Sequence, residues 1–205
     1  MRGVNSMAVS ATLHCLTGCA IGEIAGLMIG TAAGLANGWT IALSVVLAFF
    51  FGYTLSTLPL IKAGLGVGAA LSVVLAADTL SIATMEVVDN LVMAVIPGAM
   101  DAGLVNVVFW IGMMISLTAA FFAAYPVNRY LLQRGKGHAL LHQHHHGTGP
   151  VTGARRFIPS LPTPTLVAVL VAFMLGGLVV SIADELETEP AGGGHAAAST
   201  GGTAS

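Results

Sequence analysis

Five apolar stretches, each long enough to cross a lipid bilayer, dominate this chain of 205 residues. One membrane-spanning helix needs about 20 consecutive apolar residues. Only 8% of the residues are charged, against about 25% in a typical soluble domain, so the chain cannot coat a water-facing surface. We therefore predict an all-α, polytopic transmembrane helix bundle with about five spanning helices. The predicted spans are Ala11–Leu35, Trp39–Ile61, Val67–Ile96, Val105–Leu131 and Thr163–Ala183.

The basic residues indicate how these helices cross the membrane. With a cytoplasmic N-terminus, five helices place all seven Lys and Arg residues on the cytoplasmic side, as the positive-inside rule requires. The basic residues are Arg2, Lys62, Arg129, Arg134, Lys136, Arg155 and Arg156. The opposite side receives acidic residues, namely Asp101, Asp184, Glu185, Glu187 and Glu189. We expect a multi-pass protein of a bacterial plasma membrane, with its N-terminus cytoplasmic and its C-terminus extracytoplasmic.

Changes in composition divide the chain into four parts. Residues 1–135 form a predicted four-helix transmembrane core, and residues 163–184 form the fifth transmembrane helix. Residues 136–162 form a His-rich cytoplasmic loop with His138, His142, His144, His145 and His146. Residues 185–205 form a predicted disordered extracytoplasmic tail, because its end is rich in Gly, Ala, Ser and Thr.

The third apolar stretch is unusual because it contains three acidic residues. A carboxylate at the centre of a bilayer costs roughly 2.5–3.5 kcal/mol on insertion scales, so such residues usually face a bundle interior and serve an ion, a proton or a partner charge. At about 100° per residue, one broad face of a helix holds all three acids and one methionine. These residues are Asp78, Met85, Glu86 and Asp89.

The first apolar stretch carries two neighbouring rows of residues at four-residue spacing. One row is a glycine ladder that permits a close helix–helix approach, formed by Gly18, Gly22, Gly26, Gly30 and Gly34. The other row contains Cys15, Cys19 and Glu23, with His14 beside it. A disulfide between the two cysteines would strain a regular helix, so a shared ligand or plain packing is expected. The ladder serves contacts within one chain or between chains equally well.

Helices one and three run in the same direction, so their polar groups form a ladder across the membrane if the helices pack together. Carboxylates replace part of the hydration shell of a cation, and thiol, thioether and imidazole groups favour soft metals such as copper or zinc. We therefore predict binding or translocation of a cation, either a metal ion or a proton. The predicted ligands are His14, Cys15, Cys19, Glu23, Asp78, Met85, Glu86 and Asp89. The five histidines of the loop form a secondary site.

Other interpretations stay open. The two cysteines would suit a membrane thiol/quinone redox enzyme, although they lack the Cys-x-x-Cys spacing of thiol oxidoreductases. The acids would also suit a non-catalytic assembly subunit, or a polar network paired with His14 or Arg129. We assign no catalytic residue and no organic cofactor. The expected partners are the lipid bilayer and the cation, with a second copy or a membrane complex left open, and no basic, aromatic-rich surface suggests nucleic acid.

Several sequence motifs resemble a known family. They read HCLTGCAIGE from His14, ADTLSI from Ala77, MEVVDN from Met85, PGAMD from Pro97 and AYPVNR from Ala124. In this order, they are similar to the bacterial membrane family catalogued as domain of unknown function 4396. The resemblance covers residues 11–146 and implies a membrane protein, but it implies no activity.

Overall fold

Long helices account for most of the structure. The computed structural model describes residues 2–62, 64–134 and 162–188, and every regular element in these ranges is helical. All five long helices have the length and apolar composition to cross a membrane, which confirms the predicted helix bundle. They are α1 (Arg2–Ala32), α2 (Asn37–Lys62), α3 (Val67–Val95), α4 (Val107–Gln133) and α5 (Thr163–Thr188). The predicted histidine site at His138, His142, His144, His145 and His146 lies outside the described residues, as does the tail beyond Thr188.

Helices α1 and α5 extend well beyond their predicted spans, and α2 (Asn37–Lys62) extends slightly beyond its own. Helix α1 begins at Arg2 rather than Ala11, because the polar residues before Ala11 lower the hydropathy without breaking the helix. Helix α5 continues to Thr188, so the prediction of a disordered tail from residue 185 is wrong for residues 185–188. The length of an apolar stretch matches the hydrocarbon core of the bilayer, whereas the hydrogen-bonded helix can continue beyond that core into the polar headgroup region.

Glycines end the first two helices. Gly34 has a φ of 66°, in the left-handed region that costs glycine little. Its N–H donates to the carbonyl of Thr31, and the N–H of Leu35 donates to the carbonyl of Gly30. This pair of bonds satisfies carbonyls that the end of a helix leaves unpaired. Gly64, with a φ of 109°, ends α2 in the same way.

Hydrogen bonds between elements define an up-and-down bundle. At one end, Asn128 near the end of α4 donates to Thr12 of α1, and Ser10 of α1 bonds Thr163 at the start of α5. At the other end, Asn37 at the start of α2 donates to Asp101 in a short 3-10 helix (Ala99–Asp101) after α3. We call the first the basic end, since it holds Lys62, Arg129 and Arg134, and the second the acidic end, since it holds Asp101, Asp184, Glu185 and Glu187.

Helix α1 is the centre of the bundle. It packs against all four other helices and is the most buried of the five, whereas α5 is the least buried. Large apolar side chains cover the outward faces, among them Phe50, Val87, Phe122, Val179 and Leu186. Such a surface is stable against lipid acyl chains, which are as apolar as these side chains. The fold is therefore that of a multi-pass membrane protein.

Candidate functional site

The glycine ladder sets the rotation of α1 in the bundle. Gly18 lies against Gly52 of α2, and Gly22 lies against Ala48. A Cβ added to Gly22 would be 2.3 Å from the Cα of Ala48, a distance that real structures do not contain. Gly26 and Gly30 meet Ser44 and Thr40 of the same helix. The ladder therefore serves a contact within the chain, which the sequence left open, except that Gly34 ends the helix.

Because the glycines of α1 pack on α2, the row of Cys15, Cys19 and Glu23 on α1 faces α3. Cys15 faces Asp78, and Cys19 faces Glu86. One turn further along, Glu23 faces Asp89. The successive pairs follow from two helices that run in parallel and pack directly against each other. We call these six residues the acidic seam: Cys15, Cys19 and Glu23 of α1 with Asp78, Glu86 and Asp89 of α3.

Hydroxyl groups from the neighbouring helices border the acidic seam. Ser56 of α2 and Ser81 of α3 lie beside the thiol of Cys15. Ser116 of α4 lies beside Asp89, and its hydroxyl donates to the carbonyl of Met113. Sequence reasoning missed Ser56 and Ser116, because a single serine in an apolar helix gives no periodic signal. Helix α2, whose sequence shows no acidic face, nevertheless contributes to the site.

The seam is shielded from the surroundings of the protein. Its six side chains are each at most 8% exposed. Both carboxyl oxygens of Glu23 and of Glu86, and Oδ1 of Asp89, are buried without a partner in hydrogen-bond geometry among the described residues. The groups that face them are the thiol of Cys19, for Glu86, and the opposite carboxyl group, for Glu23 and Asp89. Buried polar atoms normally have a hydrogen-bond partner, and leaving one without a partner costs roughly 1–3 kcal/mol. Bare carboxyl oxygens inside a protein are therefore evidence for a proton, a water molecule or an ion at that place.

The remaining predicted ligands of α1 and α3 lie differently. Met85 is fully buried in the main core beside the seam. His14 is only half-buried, and its Nδ1 lies 2.7 Å from the carbonyl oxygen of Ser10. No polar contact found for His14 within the described ranges reaches the seam. The Nε of Arg129 is likewise buried without a hydrogen-bond partner, and no ion pair of Arg129 with Glu23 or Glu86 is found among the described residues.

The two cysteines are free thiols buried within α1. This agrees with the expectation that a regular helix does not close a disulfide across one turn. Within residues 2–62, 64–134 and 162–188, no three His, Cys, Asp or Glu side chains converge in a way that would hold a metal ion. The seam thus presents its ionisable groups in pairs, one pair for each turn of α1, rather than as one closed ligand shell.

A cavity connects the seam with the acidic end of the bundle. Its volume is about 90 Å³, and one water molecule requires roughly 10–15 Å³ of such space. The cavity lies among α1, α2, α3 and α4 and is lined by polar and apolar side chains. The polar ones are Glu23, Asn37, Thr40, Ser44, Asp89 and Asn90. We call it the acidic-end cavity, and it gives the Glu23–Asp89 pair room for water or a small cation.

A hydrogen bond ties together two elements that line this cavity. The side-chain amide of Asn37 donates to Oδ1 of Asp101 at a distance of 2.5 Å. The bond joins the start of α2 to the 3-10 helix, which supplies Ala99 and Met100 to the cavity wall. Neither Asn37 nor Asp101 belonged to the site predicted from the sequence, because the two residues are 64 positions apart along the chain.

Comparison with known proteins agrees with the motif resemblance. The family described as "Domain of unknown function (DUF4396)" matches residues 4–137. No curated protein or solved structure shows a significant match to the chain. The matched region contains α1 to α4, and with them the acidic seam and the acidic-end cavity, whereas α5 lies beyond it. The chain therefore belongs to the DUF4396 family.

Proposed function

We propose that this protein binds a cation at the acidic seam and passes it between the two ends of the bundle. The observation that carries this proposal is the set of bare, buried carboxyl oxygens of Glu23, Glu86 and Asp89. Ionised carboxylates in such a place need a positive charge close by. No lysine, arginine or histidine in the described part of the chain donates a hydrogen bond to these oxygens. A cation from solution is the simplest source of the charge.

The order of the groups supports a path rather than a single binding site. The acidic-end cavity reaches Glu23 and Asp89 first. Cys19 and Glu86 follow, and Cys15 and Asp78 lie deeper along the same two helices. Successive sites of moderate strength allow an ion to enter and to leave again. By the positive-inside rule, we place the acidic end on the extracytoplasmic side.

The chemistry of the ligands favours a soft or borderline metal, copper or zinc. Thiol and thioether sulfur atoms select such metals over calcium or magnesium. Because the groups stand in pairs, a metal ion must draw side chains of α1 and α3 towards itself. A proton needs only one acid at a time, so proton exchange along the seam is the alternative cation.

Burial of the acids counts against the proposal of an assembly subunit. Glu23, Asp78, Glu86 and Asp89 are at most 8% exposed within a single chain. A charge on a partner helix would have to separate α1 from α3 to reach them. The thiol/quinone enzyme remains an alternative that predicts redox-dependent labelling of Cys15 and Cys19.

Metal content measured on the purified full-length chain tests the proposal. We expect Glu23→Gln and Asp89→Asn each to weaken Cu(I) or Zn(II) binding by at least about tenfold. Even the loss of a residue that only hydrogen-bonds to a metal ligand lowers metal affinity by about 10–100-fold. The double variant Cys15→Ser/Cys19→Ser should lose copper in particular. Elemental analysis after desalting in detergent gives the stoichiometry.

The control is Glu187→Gln, which changes an exposed acid at the end of α5 and should leave binding unchanged. Proteoliposomes that contain a pH-sensitive dye test the proton alternative with the same variants. If Glu23→Gln and Asp89→Asn retain wild-type metal binding, metal flux and proton flux, the proposed function is wrong.

A further inference from the structure

Three methionines from three different elements line the acidic-end cavity. Met93 comes from α3, Met100 from the 3-10 helix and Met113 from α4. They share the cavity with Glu23, whose two carboxyl oxygens lack hydrogen bonds, and with Asp89, whose Oδ1 lacks one. The sequence analysis did not select these methionines, because they are separated along the chain and no spacing connects them.

The packing holds these side chains in defined places. Met93 is 7% exposed and Met113 is 2% exposed. The sulfur of Met93 lies over Gly112 of α4, where an added Cβ would be only 3.0 Å from Sδ. Gly112 therefore provides the space that the thioether of Met93 occupies between α3 and α4. Met100 is half-buried and directly precedes Asp101, which accepts the hydrogen bond from Asn37.

A cavity lined by three thioethers and two carboxyl groups has a defined chemical preference. Thioether sulfur is a soft ligand that suits Cu(I), whereas carboxylate, carbonyl and water oxygens suit Mg²⁺ and Ca²⁺. Thioethers carry no charge, so a cation that they hold keeps its attraction to Glu23 and Asp89. A soft monovalent cation that enters from the acidic end would thus contact the uncharged sulfur ligands before the acidic groups.

We infer that the acidic-end cavity selects a soft monovalent cation, Cu(I), through the thioethers of Met93, Met100 and Met113 before it reaches Glu23 and Asp89. This inference rests on the proposed function and narrows its substrate to Cu(I) over Zn(II). The ion is bound and released as Cu(I), without a redox step. The simpler role of the three side chains is to fill space, which methionine does well in irregular cores.

The test uses Ag(I), a redox-inert analogue of Cu(I), with the full-length chain in detergent. The triple variant Met93→Leu/Met100→Leu/Met113→Leu keeps the apolar volume, a type of exchange that cores tolerate. We expect its affinity for Ag(I) to fall by at least about tenfold, with Zn(II) binding unchanged. The matched control is Met114→Leu, because Met114 is adjacent in sequence but lines an apolar groove between α4 and α5.

The possible outcomes separate this inference from the proposed function. If the triple variant binds Ag(I) like the wild type while Glu23→Gln abolishes binding, the thioether inference is wrong and the cation site stands. If Glu23→Gln also leaves binding unchanged, the proposed function fails as well. Silver X-ray absorption on the chain with Cys15→Ser/Cys19→Ser, which keeps all three methionines, provides a second measurement that does not depend on the folding of the triple methionine variant. Sulfur neighbours that persist in Cys15→Ser/Cys19→Ser support the inference, and a shell of oxygen alone in that variant contradicts it.

Discussion

Single buried polar side chains in this protein are of two kinds. Asn128 and Thr12 satisfy each other, since the side-chain amide of Asn128 donates to Oγ1 of Thr12 at 2.9 Å. The carboxyl groups of Glu23 and Glu86 have no such partner among the described residues. The first kind joins α4 to α1 and stabilises the fold, whereas the second has a cost that only a bound proton, water or cation offsets.

A double-mutant cycle on Thr12 and Asn128 measures how much the hydrogen bond between these two side chains stabilises the fold. We expect a coupling free energy of about 0.6 kcal/mol, and not above about 1.7 kcal/mol, as for hydrogen bonds between helices in other membrane proteins. The variants are Thr12→Ala, Asn128→Ala and their combination, compared by unfolding in mixed detergent micelles. Additive effects of the two substitutions would show that this bond contributes nothing to stability.

At the scale of elements, contact between α1 and α2 decides where the site lies. The glycines of α1 meet the backbone and small side chains of α2, and this contact leaves α1 one direction in which to turn its cysteines and Glu23. Helix α3 then supplies Asp78, Glu86 and Asp89 on the facing side. Any change that separates α1 from α2 should therefore disturb the seam as well.

The substitution Gly22→Ala tests this contact. Its new Cβ would lie 2.2 Å from the backbone nitrogen of Ala48, so we expect a destabilisation of about 1–3 kcal/mol from overpacking. The control is Gly3→Ala in the same helix, where nothing lies within 4 Å. That change should stabilise α1 by roughly 0.5–1 kcal/mol, because alanine loses less entropy on folding. Equal effects of the two substitutions on the free energy of unfolding would refute the close contact.

At the scale of the whole molecule, charge differs between the two ends. The described part of the basic end holds Lys62, Arg129 and Arg134, whereas the acidic end holds four acids. The start of α2 and the 3-10 helix, which line the acidic-end cavity, also lie at the acidic end. The positive-inside rule then predicts that the acidic-end cavity opens to the extracytoplasmic side. Under the proposed function, this orientation would decide from which compartment the cation enters.

Cysteine labelling in intact cells tests the orientation. In a Cys15→Ser/Cys19→Ser background, Gly103→Cys should react with a membrane-impermeant maleimide added outside. Gly66→Cys at the basic end should react only after the cells are permeabilised. Both glycines are exposed, with nothing within 4 Å of an added Cβ, so neither substitution should disturb the fold. The reverse pattern of labelling would show that the proposed topology is wrong and that the acidic end faces the cytoplasm.

The sequence by itself determined the number and approximate limits of the helices, because crossing a bilayer imposes a length and a composition on each segment. It also identified the acids of α3 and the cysteines of α1, since helical periodicity places each set on one face. Only the tertiary structure decided that these two faces meet, that Ser56 and Ser116 join them, and that Met93, Met100 and Met113 share a cavity with Glu23. Contacts between helices depend on how each helix is rotated against its neighbours. Here the packing of α1 glycines on α2 sets that rotation, and no single segment contains this information.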